Sequence, residues 1–191
     1  MSDTIRAFIA IKLPEKITVS ISKIQEGLRS YGFKVKWVRP ENIHLTLKFL
    51  GNIDRADTEK VGSAISESVK TYAPLSLIAK GIGVFPNIKR PRIVWTGVAE
   101  QRNRLAGLQR HLDDHLESIG FQREKRPFKG HLTIGRVKQR IDSNRLMEAM
   151  KECAKFESEA FIINEIVLFK SELNPTGAVY TQLMSASFSS L

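Results

Sequence analysis

The sequence predicts an α+β fold made of two similar lobes related by an approximate two-fold. Three observations carry that prediction. One tetrapeptide is written twice, as His44-Leu45-Thr46-Leu47 and His131-Leu132-Thr133-Ile134, 87 residues apart. Strand-like and helix-like segments alternate along the chain, and their order begins again after Pro91. Sliding the chain on itself by the same 87 residues sets Phe8 on Trp95, Ile11 on Val98, Arg39-Pro40 on Arg126-Pro127 and Leu75 on Ile162. Helices land on helices although few identities survive, so the repeat is one of architecture. It predicts a single bilobal domain over 1–191, with repeat units at roughly 5–84 and 92–171 and a C-terminal strand over 178–186.

The elements follow from local pattern. The apolar run Ala7-Phe8-Ile9-Ala10-Ile11 marks a strand over 5–11 after a frayed start at 1–4. Pro14 and Glu15 open a helix to about Ser30, with Ile17, Ile21, Ile24 and Leu28 at helical spacing and Gly32 as its stop. A short strand over 35–38 is broken by Arg39-Pro40, and the strand over 43–50 carries the first tetrapeptide. Asp54 or Asp57 can cap a helix to about Tyr72. A strand over 75–84 precedes the loop 85–91. The second round is a strand over 92–98, a helix over 101–118 with a stripe of Leu105, Leu108, Leu112 and Leu116, and an extended piece over 121–126. The strand over 130–137 with the second tetrapeptide follows, then a helix over 142–155 and a strand over 161–170. The turn Asn174-Pro175-Thr176-Gly177 leads into the last strand.

Composition narrows the functional classes. With 42% hydrophobic and 26% charged residues, the chain has the make-up of a soluble globular protein. No apolar run approaches the roughly 20 residues of a membrane helix, and no secretory pattern opens the sequence. The single cysteine, Cys153, excludes an internal disulfide and a cysteine-based zinc cluster, and a cytoplasmic location is expected. Thirty Lys and Arg against twenty Asp and Glu give a net charge of +10, which favours a polyanionic partner, nucleic acid before membrane.

Side chains alternate faces along a strand, so His44 and Thr46 share one face, as do His131 and Thr133, while the leucines and isoleucine anchor the other. Each tetrapeptide is half a site. Two imidazoles brought together can run in-line phosphoryl chemistry without a metal, one taking a proton from the attacking oxygen and the other protonating the departing one. Histidine suits both tasks because its ordinary pKa is about 6.5. The threonine hydroxyls can bind non-bridging phosphate oxygens, and a cation would complete the electrostatics. Two cations compete for that place. Arg136 lies five residues after His131, so a bulge or the strand end is needed to turn it inward. Lys48 lies four residues after His44 and shares its face by alternation.

HLTLKFLG and HLTIGR are two HxTx motifs, and they resemble those of the two-histidine (2H) phosphoesterases. Together with RAFIAI, WVRPENIHLTLKFLG, GVFPNIKRPRIVWTGV and HLTIGRV, the chain resembles, end to end, the RNA 2′,3′-cyclic phosphodiesterase branch, the LigT or ThpR family once called 2′-5′ RNA ligases. The resemblance implies lobes that are each an antiparallel sheet with outer helices, around a central cleft. It also implies hydrolysis of an RNA-terminal 2′,3′-cyclic phosphate to a 2′-phosphate, with no metal and no other cofactor. By motif, His44 would protonate the leaving 3′ oxygen and His131 would activate water. Thr46, Thr133 and Arg136 would hold the phosphate. A substrate reversed in a near-symmetric cleft would exchange the histidines' roles. The partner implied is an RNA with a cyclic phosphate end, tRNA-like or a short oligonucleotide, and a monomer is the default.

Other features compete less well. His111 and His115 have the i, i+4 spacing of zinc ligands, but Leu112 stands where HExxH needs glutamate. Asp113 and Asp114 read as exposed helix charges. Phe49 extends the phase of Leu45 and Leu47 and reads as core, whereas Trp37 and Phe85 are open to a stacking role on bases. The Lys89-Arg90-Pro91-Arg92 cluster is either a solvated turn or a hold on an RNA backbone. No GxxxxGK[ST] loop is present, so any ligation would be a reversed transesterification. Two rivals remain at this level: a phosphodiesterase of small cyclic nucleotides, and a binding module that turns nothing over. Two titrating imidazoles are more than binding needs.

Overall fold

The computed structural model describes residues 3–100, 102–175 and 177–189. The elements run β1 (Thr4–Lys12), α1 (Glu15–Arg29), β2 (Val35–Trp37), β3 (His44–Asp54), α2 (Thr58–Val69), β4 (Leu75–Phe85), β5 (Ile93–Ala99), α3 (Arg104–Ser118), β6 (His131–Val137), α4 (Ser143–Cys153), β7 (Phe161–Ile163), β8 (Glu165–Asn174) and β9 (Gly177–Ser187). Most expected elements are present, with ends displaced by a few residues. Three differ in kind. The strand expected over 161–170 is two, parted at Asn164. Asp54 accepts from Ala56 N and caps a short 3-10 turn before α2, while Asp57 makes no side-chain cap. The segment 121–126 joins no strand. Asp142, by contrast, caps α4 by accepting from the backbone N–H groups of Asn144 and Arg145. Thr176 of the expected turn, Gln101 of the expected helix, and Met1 and Ser2 lie outside the described residues.

All strand pairs are antiparallel, in the order β7-β4-β5-β6-β3-β1-β8-β9, with β2 also on β6. Read outward from the β6–β3 junction, the order is β6, β5, β4 on one side and β3, β1, β8 on the other. The 87-residue offset relates β6 to β3 and β5 to β1. It also relates β8 to β4, yet each of these two lies in the opposite half from its own sequence repeat. The halves are therefore laced together, each taking a strand from the other repeat.

Helix burial explains how the sheet acquires two unlike faces. Ile17, Ile21 and Leu28 of α1, Val61 and Ile65 of α2, the Leu105–Leu116 stripe of α3 and Ala149 of α4 share one apolar core with Ile9, Ile11, Leu45, Leu47, Leu132 and Ile134. Phe8, Ala10, Val167 and Phe169 form a separate small cluster with Tyr180, because they alternate onto the other face. That second, helix-free face carries the polar half of both tetrapeptides. Among the described residues no helix is long and apolar enough to cross a membrane.

Candidate active site

The two tetrapeptides are neighbours in one sheet, not walls facing each other over a gap. Strands β3 and β6 pair antiparallel at Leu45 and Leu132. Carried one residue either way, that register sets His44 beside Thr133 and Thr46 beside His131. The histidines then occupy one diagonal of a quartet and the threonines the other, with the residues of a diagonal pair about 7–8 Å apart and their Cβ atoms somewhat closer. Leu45 and Leu132 are fully buried beneath it, and so hold the backbone that presents the quartet.

Each imidazole is oriented by the chain entering its own strand. His44 Nδ1 lies 2.8 Å from the Asn42 carbonyl oxygen, and His131 Nδ1 lies 2.7 Å from that of Lys129. A carbonyl only accepts, so Nδ1 carries the hydrogen in both rings and the neutral form keeps its lone pair on Nε2. Each carbonyl is two residues upstream of its histidine, a second equivalence at the 87-residue offset.

The aromatic surroundings differ. His44 packs against Phe8 (4.8 Å between centroids) and edge-on to Tyr180 (5.3 Å), with Phe169 stacked on Phe8. His131 meets the edge of Phe85 at 5.1 Å, and Phe85 stacks on Trp95. Burial lowers the His44 pKa to about 4; the Arg136 charge adds to this and the Asn42 carbonyl opposes it. A pocket of about 660 Å³ opens beside His44, with Lys12, Asn42, Phe169, Tyr180 and Gln182 in its wall.

Two β-bulges decide which cation joins the quartet. Along β6, Trp95 pairs with Thr133 and Val94 with Gly135, leaving Ile134 unmatched. The extra residue reverses the alternation, so Ile134 and Gly135 are both buried and Arg136 is exposed on the histidine face. Its field reaches His44. The bulge is held from behind: Gln25 of α1, itself buried, donates to the carbonyls of Ile134 and Val38, each at 2.8 Å.

The same bulge occurs in β3, where Ala10 pairs with Thr46 and Ile9 with Lys48, skipping Leu47. This overturns three expectations. Lys48 turns inward, 8% exposed, and pairs with a buried Asp113 while donating to the Gln122 carbonyl at 2.6 Å. Asp113 is therefore no surface charge, and its other oxygen accepts from Glu124 N at 2.9 Å. Phe49 turns outward, 68% exposed, into the position that Arg136 fills in the other repeat.

Of the remaining candidates, Phe85 lies at the site, but Trp37 packs on the helix-side core with Arg29 over its ring. Phe8 and Trp95 fall within the family-like segments RAFIAI and GVFPNIKRPRIVWTGV but are not singled out there, and Phe169 and Tyr180 carry no motif. Phe8 and Trp95 also stand 87 residues apart, the same offset as the histidines, which marks them as an equivalent pair. His111 sits 3.4 Å from the Tyr72 hydroxyl, and no three metal-ligating side chains cluster among the described residues.

Known proteins resemble this chain along nearly its whole length. The family model described as LigT like Phosphoesterase matches residues 11–95 and again 97–180. The RNA 2′,3′-cyclic phosphodiesterase of Methanothermobacter thermautotrophicus is 37% identical over 94% of this chain and 96% of its own length. That of Thermotoga maritima is 35% identical over 96% of this chain and 95% of its own. The crystal structure of TT0787 of Thermus thermophilus superposes with a TM-score of 0.80 at 26% identity, over 96% of this chain and 97% of that one.

Proposed function

This chain belongs to the LigT-like phosphoesterase family, and on that premise we propose that it opens the 2′,3′-cyclic phosphate at an RNA end to leave a 2′-phosphate. The observation that carries the reading is the diagonal quartet of His44, Thr133, His131 and Thr46 around the Leu45–Leu132 pair, with both Nε2 atoms left free by their Nδ1 hydrogen bonds. His131 Nε2 takes a proton from water as its oxygen attacks phosphorus. The bond from phosphorus to the 3′ oxygen breaks, and His44 Nε2 gives that oxygen its proton. Thr46 and Thr133 donate to the non-bridging oxygens, and Arg136 balances the charge of the pentacoordinate state. The protein acts as one bilobal unit, and the aromatic-walled pocket beside His44 suits the terminal nucleoside.

One observation favours exchanging the two histidines. Burial holds free His44 near 4, so at neutral pH it begins as a base, not as a donor. For His44 to donate, the bound phosphate must raise it; with roles exchanged, His44 activates water and His131 protonates the leaving oxygen.

The reaction is tested with a short RNA ending in a 2′,3′-cyclic phosphate, in EDTA. Wild type should yield the 2′-phosphate, and both His44→Ala and His131→Ala should fail. Wild type that binds this RNA without opening the ring would refute the proposal, and small cyclic nucleotides would then separate a nucleotide phosphodiesterase from a binding module.

A further inference from the structure

We propose that a basic groove beyond Arg136 binds the phosphodiester backbone of single-stranded RNA on the 5′ side of the cyclic end, an inference that rests on the reaction proposed above. The groove, about 400 Å³, is formed where the β4–β5 loop meets the chain leaving β6. Its cations are Lys89, Arg90 and Arg92 from the loop and Lys138 and Arg140 from the chain after β6.

Three features distinguish it from a scatter of surface charge. No carboxylate lines it, and among the described residues none of its five cations forms an ion pair. Like charges gathered without a counter-charge repel one another, and a polyanion relieves that repulsion. The nearest acid along the chain, Asp142, is committed to the backbone at the start of α4.

The loop is also built. Asn87 Oδ1 accepts from the backbone N–H groups of Lys89 and Arg90, and Arg92 N donates to the Phe85 carbonyl at 2.7 Å. Val137 N donates to the Arg92 carbonyl at 2.9 Å, which ties the two walls together. The cations are therefore offered on a fixed frame.

Finally, the groove adjoins the strand that carries the site. Arg136 immediately precedes its wall in sequence and pairs with Ile93, next to Arg92. At about 3.3 Å per residue, Lys138 stands up to roughly 16 Å along the chain from Thr133. A mononucleotide held at the quartet does not span that distance, whereas the next nucleotides of an RNA do. Phosphate contacts of this kind position a strand without reading its sequence.

The test compares wild type with the Arg90→Gln/Lys138→Gln double variant on a pentanucleotide ending in a cyclic phosphate and on a 2′,3′-cyclic mononucleotide. The double variant should raise KM for the pentanucleotide roughly tenfold and leave the mononucleotide KM unchanged. Fluorescence anisotropy of a 5′-labelled RNA ending in a 2′-phosphate gives a readout independent of turnover. There the slope of log affinity against log salt should fall by about 1.4, since each single-strand phosphate contact contributes about 0.7. Lys16→Gln/Lys60→Gln removes the same charge elsewhere and should change neither. Equal KM and equal salt slope in wild type and the groove variant would overturn the proposal, as would an equal effect from the Lys16/Lys60 control. Failure of the reaction reading appears separately, as wild type that leaves both substrates intact, while the anisotropy still decides the groove.

Discussion

Leu45 pairs with Leu132, and this contact brings the histidines and threonines of the two tetrapeptides into one quartet. Strand side chains have a period of two, so a slip of one residue would send one histidine and its threonine into the helix-side core. Both leucines are fully buried, so such a slip would also bring core apolar surface to solvent. The quartet's register and the stability of the core are therefore a single choice.

Which histidine donates its proton can be read from the leaving group. An ester of 4-nitrophenol departs with little need of an acid. Loss of the donor should then cost little on a 4-nitrophenyl phosphodiester, while loss of the base still costs roughly 10²–10⁴ in kcat. With His44 as donor, His44→Ala retains most activity on that substrate and His131→Ala does not. The opposite pattern would establish the exchanged assignment.

Burial of His44 also makes stability depend on pH. Its pKa is about 4 when folded and about 6.5 when unfolded, so above pH 6.5 both states are neutral and nothing is lost. As pH falls from 6.5 towards 4 the unfolded chain takes the proton first, and stability declines by on the order of 3 kcal/mol. In thermal melts across pH 4–7, wild type should lose stability relative to His44→Gln as pH falls below 6.5, with the difference between them constant above it. Parallel curves would show that His44 titrates normally.

The Lys48–Asp113 pair predicts a variant that loses stability but not catalysis. Removing one partner strands a buried charge, and Lys48→Met or Asp113→Asn should each cost about 3–5 kcal/mol. The double replacement Lys48→Met/Asp113→Leu should recover much of that. At a temperature where all remain folded, kcat should match wild type. A large fall in kcat for folded Lys48→Met would return Lys48 to the site.

The repeat, the helices and the four quartet residues are legible in the sequence, because those rest on periodicities of 3.6 and 2. The phase after each tetrapeptide is not. A bulge is a pairing event between strands, and Leu47 or Ile134 looks locally like any other strand residue. Strict alternation thus places Lys48 with His44, and Phe49 with the core, one position out of phase. The repeat itself holds the correction: once Arg136 is turned onto the exposed histidine face, Phe49, 87 residues earlier, must turn with it. The lacing of β4 and β8 into opposite halves is hidden for the same reason.

Gly135 tests whether the bulge places Arg136. A Cβ there would lie 2.6 Å from Val35 Cγ1 and 3.1 Å from the Trp37 ring, so the side chains of β2 would have to shift against β6. Overpacking of this kind costs about 1–3 kcal/mol. Arg136→Gln removes the guanidinium but is exposed, and should leave the melting temperature within a degree or two while lowering kcat by roughly 10²–10³, the scale of one lost oxyanion contact. Gly135→Ala should lower both kcat and the melting temperature, because it disturbs the β2–β6 pairing that flanks Arg136. Combining the two should add little further loss of kcat, since residues acting through one contact are not additive. Full kcat in a destabilised Gly135→Ala would mean that Arg136 reaches the phosphate without the bulge.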